Sequence, residues 1–232
     1  MSRLTDKIIY PDTLIFDLDG TLIDSVPAIQ VALNQVLVEE GMEALNIDQV
    51  KEVVGFGAKW MVSEIYKKYD RQITQEKLID LMNRYLDYYM LNSAEYTLVY
   101  DGVYDVMEEL KKAGVKMGIC TNKPGFSTRP VLESLNLDHF FGAMITEDDV
   151  EFQKPDGRHV LTTIEAVNGN AADCVFIGDS ETDMAAAENA NIPAICVTYG
   201  YCHVPYAELN VKALLNNFSE LPEALQNIEI AA

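Results

Sequence analysis

Apolar residues follow two different rhythms along the 232-residue chain. Between about residues 26 and 95 they return at helical spacing and never at the two-residue period of a half-buried strand. Ile29, Leu33, Val36 and Leu37 form one stripe of a helix expected over 27–40, with Pro27 suited to its first turn and Gly41 to its stop. Further helices are expected over 48–54, 58–69 and 74–91, the last with Thr74 as its N-cap. The block reads as a helical insert.

Outside it, short apolar runs alternate with amphipathic stretches. Leu14, Ile15 and Phe16 suit a strand buried on both faces. After Asp101-Gly102 the pattern predicts a helix over 103–113 closed by Gly114, a strand over 115–121, a helix over about 127–135 and a strand over 143–146. A helix over 156–167, a strand over 174–178, a helix over 181–190 and a strand over 194–197 follow, then a final strand over 211–215 and a helix over 219–225. Such alternation predicts an α/β fold, a parallel sheet with helices on both faces and right-handed crossovers. Ligands of these sheets sit beyond the carboxyl ends of the strands, and Asp17, Thr121-Asn122 and Asp179 all fall there.

Composition narrows the classes. At 49% apolar and 23% charged residues the chain is ordinary globular protein. Its apolar runs stop well short of a membrane span, and Met1-Ser2-Arg3-Leu4-Thr5-Asp6-Lys7 lacks the apolar core of a secretory signal, so a cytoplasmic location is expected. Cys120, Cys174, Cys196 and Cys202 show no C-x-x-C spacing and read as reduced thiols. A formal charge of −20 argues against nucleic acid and anionic membrane as partners. It also sets a condition on any phosphorylated ligand, which needs local positive charge to enter.

Asp17 ends the first strand and Asp19 lies two residues on, so both carboxylates can face one side before Gly20 turns the backbone away. Two such groups stay ionised only beside a cation or donors. A calcium-binding EF-hand loop fails on spacing, since counting from Asp17 puts Gly20 fourth and Ala28 twelfth, while a plain solvated turn stays open. Thr121-Asn122-Lys123-Pro124 offers a hydroxyl and amides to an oxyanion, or is simply a strand-ending turn. Lys154-Pro155 supplies a point charge, and Gly178-Asp179-Ser180-Glu181-Thr182-Asp183 carries carboxylates four apart at a helix start, where capping alone would favour them. Gly55-Phe56-Gly57 and Lys59 read first as a flexible helix connection, and His139, His159 and His203 as structural or surface residues.

Together these segments resemble the four signature motifs of the haloacid dehalogenase superfamily of phosphohydrolases, in the right order. The resemblance implies a Rossmann-like core formed by residues 1–24 and 96–232, with a helical cap of the first type over 25–95. It implies Asp17 as nucleophile, Asp19 as general acid and base, and Lys154 as partner of the phosphate and of Asp17. Thr121 and Asn122 would bind the transferring phosphoryl group, and Gly55, Gly57 and Lys59 would shape substrate choice from the cap. Mg²⁺ would be held by Asp17, Asp19, Asp179 and Asp183. Asp19 argues against the dehalogenase and phosphonate-cleaving branches, which lack it.

The implied activity is hydrolysis of a small phosphorylated metabolite, 2-phosphoglycolate foremost, through an aspartyl phosphate. Sugar or nucleotide phosphatases, a pyrophosphatase and a β-phosphoglucomutase-like mutase are the enzymatic alternatives. A phosphate-binding or interaction module is the non-enzymatic one, and intact Asp17, Asp19, Lys154 and Asp179 argue against it. The sequence departs from many relatives at Gly157-Arg158, where another proline is common, and at Ala190-Asn191, where Ala-Gly is usual.

Overall fold

The computed structural model describes residues 10–55 and 57–228; the amino-terminal heptapeptide read above and Phe56 lie outside them. At the centre stands β1 (Thr13–Phe16), every residue of it fully buried, as its unbroken apolar run requires. It pairs in parallel with β4 (Lys116–Cys120) on one side and β6 (Cys174–Gly178) on the other. The sheet is completed by β5 (Ala143–Ile145), β7 (Ala194–Val197) and β8 (Ala213–Leu215), in the order β5-β4-β1-β6-β7-β8.

Alternation along β1 divides the core in two. Leu14 and Phe16 join Val175 and Ile177 in one cluster, with α5 (Val103–Ala113) and α6 (Gly125–Ser134) packed over that face. Ile15 and Phe176 face the other way, toward α7 (Gly157–Ala166) and α8 (Glu181–Asn189). A strand buried on both sides needs such a pair of cores. The chain ends in α9 (Leu221–Gln226).

The register fixes the site. Phe16 pairs with Ile119 and with Ile177, so the strand ends carrying Asp17, Thr121 and Asp179 emerge at nearly one height on one edge. Four helices lie between β1 and α5 in sequence: α1 (Val26–Glu39), α2 (Ile47–Lys51), α3 (Ala58–Lys68) and α4 (Gln75–Tyr96). Thr74 caps α4 by accepting a hydrogen bond from the Lys77 amide at 3.2 Å. That helix runs five residues past its expected end, and its buried face continues beyond it through Ser93, a polar residue that the apolar pattern does not mark. Conversely, α2 stops at Lys51, where Val53 and Val54 turn inward and are buried.

Two short strands escaped the sequence pattern. β2 (Ile23–Asp24) and β3 (Leu98–Val99) form an antiparallel ribbon at the two ends of the helical block. Two residues are too few to display a period. The two departures noted above meet in space: a Cβ on Gly157 would stand 2.5 Å from the Ala190 nitrogen, so α7 and the end of α8 approach backbone to backbone. Asn191 follows with a φ of 56°, a left-handed position that asparagine tolerates. Among the described residues, no helix is long and apolar enough to cross a membrane.

Candidate active site

Asp17 continues the ladder of β1, its amide donating to the Ile177 carbonyl at 2.9 Å. Its carboxylate accepts from the Lys154 ammonium at 2.6 Å, and the same ammonium donates to Asp183 at 2.6 Å. Lys154 is brought there by Asn122, whose side-chain amide bonds both the Lys154 carbonyl and the Lys154 amide at 2.9 Å. The second oxygen of Asp183 receives the amides of Asp179 and Ser180 and the Ser180 hydroxyl at 3.2, 3.1 and 2.7 Å. Asp179 is held by the Thr21 hydroxyl at 3.1 Å and the Tyr201 amide at 2.6 Å.

Asp17, Asp179 and Asp183 each bring one oxygen within 4.8 Å of the others, all buried. Burial and the Asp183 charge push the Asp17 carboxyl up to about 7 although Lys154 opposes them. Burial, Asp183 and Asp17 push Asp179 well above the carboxylate range. One ammonium for three carboxylates leaves the cluster short of positive charge. A hard dication with oxygen ligands fits that deficit, and the three carboxylates would supply its protein ligands.

Asp19 stands apart from this trio. Both its oxygens accept from the Lys123 ammonium at 3.1 Å, and Lys123 also donates to the Tyr89 hydroxyl at 2.7 Å while lying 4.4 Å from that ring's centre. Burial opposes the Lys123 charge, yet Asp19 and Tyr89 together hold its ammonium above its ordinary range. Tyr89 belongs to α4, so this contact joins the sheet edge to the helical block. Between them lies a cavity with Asp17, Asp19, Thr121 and Lys154 on one wall and Gly55, Gly57, Met61 and Tyr89 on the other. Its volume is about 90 Å³.

A family model described as haloacid dehalogenase-like hydrolase matches residues 14–197, spanning every group just placed in the cluster. The chain belongs to the haloacid dehalogenase-like hydrolases. It is 34% identical over 211 residues to a phosphoglycolate phosphatase of Agrobacterium fabrum, covering 91% of each chain. A phosphoglycolate phosphatase of Caulobacter vibrioides is 35% identical over 212 residues, covering 91% of this chain and 90% of the relative. The fold matches a crystal structure described as a "predicted phosphoglycolate phosphatase" of Haemophilus somnus with a TM-score of 0.85 at 24% identity, over 91% of this chain and 96% of that one.

In this hydrolase the expected residues do not all gather at one point. Asp17, Lys154, Asp179 and Asp183 meet directly; Asp19 lies on the same cavity wall with its carboxylate turned to Lys123. Thr121 lines the cavity, its oxygen accepting the Lys123 amide at 3.2 Å and its hydroxyl proton left to donate. Asn122 also lines it, but its side chain is engaged with the Lys154 backbone. Gly55 and Gly57 face the cavity, whereas Lys59 is exposed and is not part of its lining.

Sequence reasoning missed Lys123 and Tyr89. Lys123 stood inside a quoted motif, and the spacing of Tyr85 and Tyr89 along the inner face of α4 was its available partner signal. The His203 ring nitrogens lie 3.1 Å from Glu181 and 3.1 Å from the Lys51 carbonyl, bridging the core to α2. His159 is buried as a structural residue, its ring 3.2 Å from the Ile145 carbonyl and lowered to about 4 by burial and Lys154.

Gly20 gives a direct test of the geometry. Its φ is 88°, and an added Cβ would stand 2.3 Å from an Asp179 oxygen. Gly20→Ala should therefore cost about 2–4 kcal/mol, combining left-handed strain with the clash, and weaken divalent-metal binding by displacing Asp179. Denaturant melts and metal titration check this; a variant with wild-type stability and metal affinity contradicts it.

Proposed function

We propose that this chain is a Mg²⁺-dependent phosphatase of small phosphomonoesters, 2-phosphoglycolate foremost, acting through an aspartyl phosphate in the cytoplasm. The observation that carries this reading is the Lys154 ammonium, 2.6 Å from both Asp17 and Asp183, with Asp179 beside them at the strand ends. A binding module needs no buried nucleophile-like carboxylate joined to a lysine. The relatives' activity and the small cavity support the choice of substrate. The residue ranges 1–24 and 96–232 are the proposed core, and 25–95 the proposed cap, whose Gly55 and Gly57 would help choose the ester while Lys59 would act from the surface.

In this reading an oxygen of Asp17 attacks phosphorus as the ester bond to the alcohol oxygen breaks. Lys154 and the Thr121 hydroxyl stabilise the equatorial oxygens, with backbone amides near Asp19 and Asn122. When bound, a divalent cation at Asp17, Asp179 and Asp183, with Asp19 as a further proposed ligand, neutralises the charge of cluster and substrate. Asp19 gives its proton to the leaving alcohol. It then takes one from water, whose oxygen attacks phosphorus and releases phosphate from Asp17.

Phosphate release from a panel holding 2-phosphoglycolate, pyrophosphate, hexose phosphates and nucleotides tests the reading. Strong preference for 2-phosphoglycolate is expected, with loss of at least about 100-fold on chelation. Release from other esters alone rejects the substrate, and no release from any ester in the presence of Mg²⁺ rejects the phosphatase.

A further inference from the structure

Two cations line the cavity among the described residues, and they serve different neighbours. Lys154 is committed to Asp17 and Asp183, on the side where phosphoryl transfer is proposed. Lys123 faces Asp19, on the side where the alcohol leaves. It is enclosed, with its side chain 8% exposed, and is steadied from the opposite wall by the hydroxyl and ring of Tyr89. An ammonium carries three donors, here taken by the two Asp19 oxygens and the Tyr89 hydroxyl, so a ligand carboxylate would replace one Asp19 oxygen and leave the ammonium shared between Asp19 and the ligand.

Building on the phosphatase reading, we propose that Lys123 is the specificity residue for an anionic group on the leaving alcohol, and that the preferred substrates are phosphate esters of small hydroxy acids. A neutral alcohol would gain less from a buried ammonium than a carboxylate would. A carboxylate would otherwise enter, beside Asp19, a protein of formal charge −20 whose field repels it. Lys123 stands against that same Asp19. In a two-carbon ester the carboxylate lies two bonds from the oxygen that meets Asp19, within the reach of the same ammonium. Tyr89 is a positioning residue in this arrangement, fixing the ammonium from α4.

The test compares 2-phosphoglycolate with 2-hydroxyethyl phosphate, which keeps the skeleton and the leaving alkoxide but replaces the carboxylate by a neutral alcohol. Wild-type kcat/KM should favour 2-phosphoglycolate on the order of 100-fold, the weight of one charge-assisted hydrogen bond in a buried site. Lys123→Met should shrink that ratio to within about threefold, mostly through KM, while Lys123→Arg retains most of it. Equal losses on both esters, with the ratio intact, would show that Lys123 serves Asp19 alone and overturn the inference. A wild-type ratio near one overturns it as well, without recourse to any variant that folds poorly. If wild type releases phosphate from neither ester but does so from others of the panel, this inference fails while the phosphatase reading stands; release from no ester at all ends both.

Discussion

Asp17→Asn should abolish phosphate release and, in metal-free protein, raise stability at pH 8. Loss of turnover follows from the proposed nucleophile, because an amide oxygen forms no stable acyl phosphate, and a fall of at least about 10⁴-fold is expected. The stability gain follows from burial. Folding pushes the Asp17 carboxyl from 3.8 up to about 7, so the ionised form is disfavoured in the native state. Well below pH 3.8 the group is protonated in both states and costs nothing. As pH rises through 7 the unfolded chain has ionised first, and stability is lost. Asparagine removes that penalty, with a gain on the order of 2 kcal/mol at pH 8 and only a small fraction of it at pH 4. Denaturant melts with chelator at both pH values read the difference. Persistent turnover would displace Asp17 from the nucleophile's role, and a variant less stable at pH 8 would contradict the electrostatic account.

Lys154→Met should be the most destabilising single change in the site. It strips the ammonium from between Asp17 and Asp183 and leaves three buried carboxylates against one another. Breaking a buried pair from one side costs about 3–5 kcal/mol, because the remaining charge has nothing to face. The loss should be greatest at pH 8, smaller near pH 5, where Asp17 takes up a proton, and partly reversed by millimolar Mg²⁺. Lys154→Arg should rescue little, since a planar guanidinium does not replace a compact ammonium between two oxygens 2.6 Å away. Melts across pH with and without Mg²⁺ decide it. Wild-type stability at pH 8 in chelator would mean that the carboxylates are compensated by other groups.

The sheet and the helix sequence were legible because their signals are local. The run Leu14-Ile15-Phe16, the strand Cys174–Gly178 and the helix Val103–Ala113 with Gly114 behind it lie where period and punctuation placed them. The nearness of Asp17 and Asp179 was readable for another reason: strand ends of a parallel sheet share one edge, whereas Lys154 and Asp183 were expected there only through the motifs that the chain resembles. What stayed hidden depends on partners from distant segments. Lys123 looks like any turn lysine until Tyr89 stands over it, and His203 gains its place only when Lys51 is brought near. Asn122 looked like a phosphoryl donor, but its amide matches both hydrogen-bonding groups of the Lys154 backbone.

The ribbon of β2 and β3 has a consequence for how such proteins diversify. Asp24 pairs with Leu98, so the chain departs for its four helices and comes home through neighbouring strands, about 5 Å apart. The intervening segment is thus grafted at a single point of attachment. Its length and internal arrangement can change without altering the distance the remaining chain must span. Exchange of this segment between relatives would transplant one wall of the cavity while the carboxylates on the sheet edge keep their register.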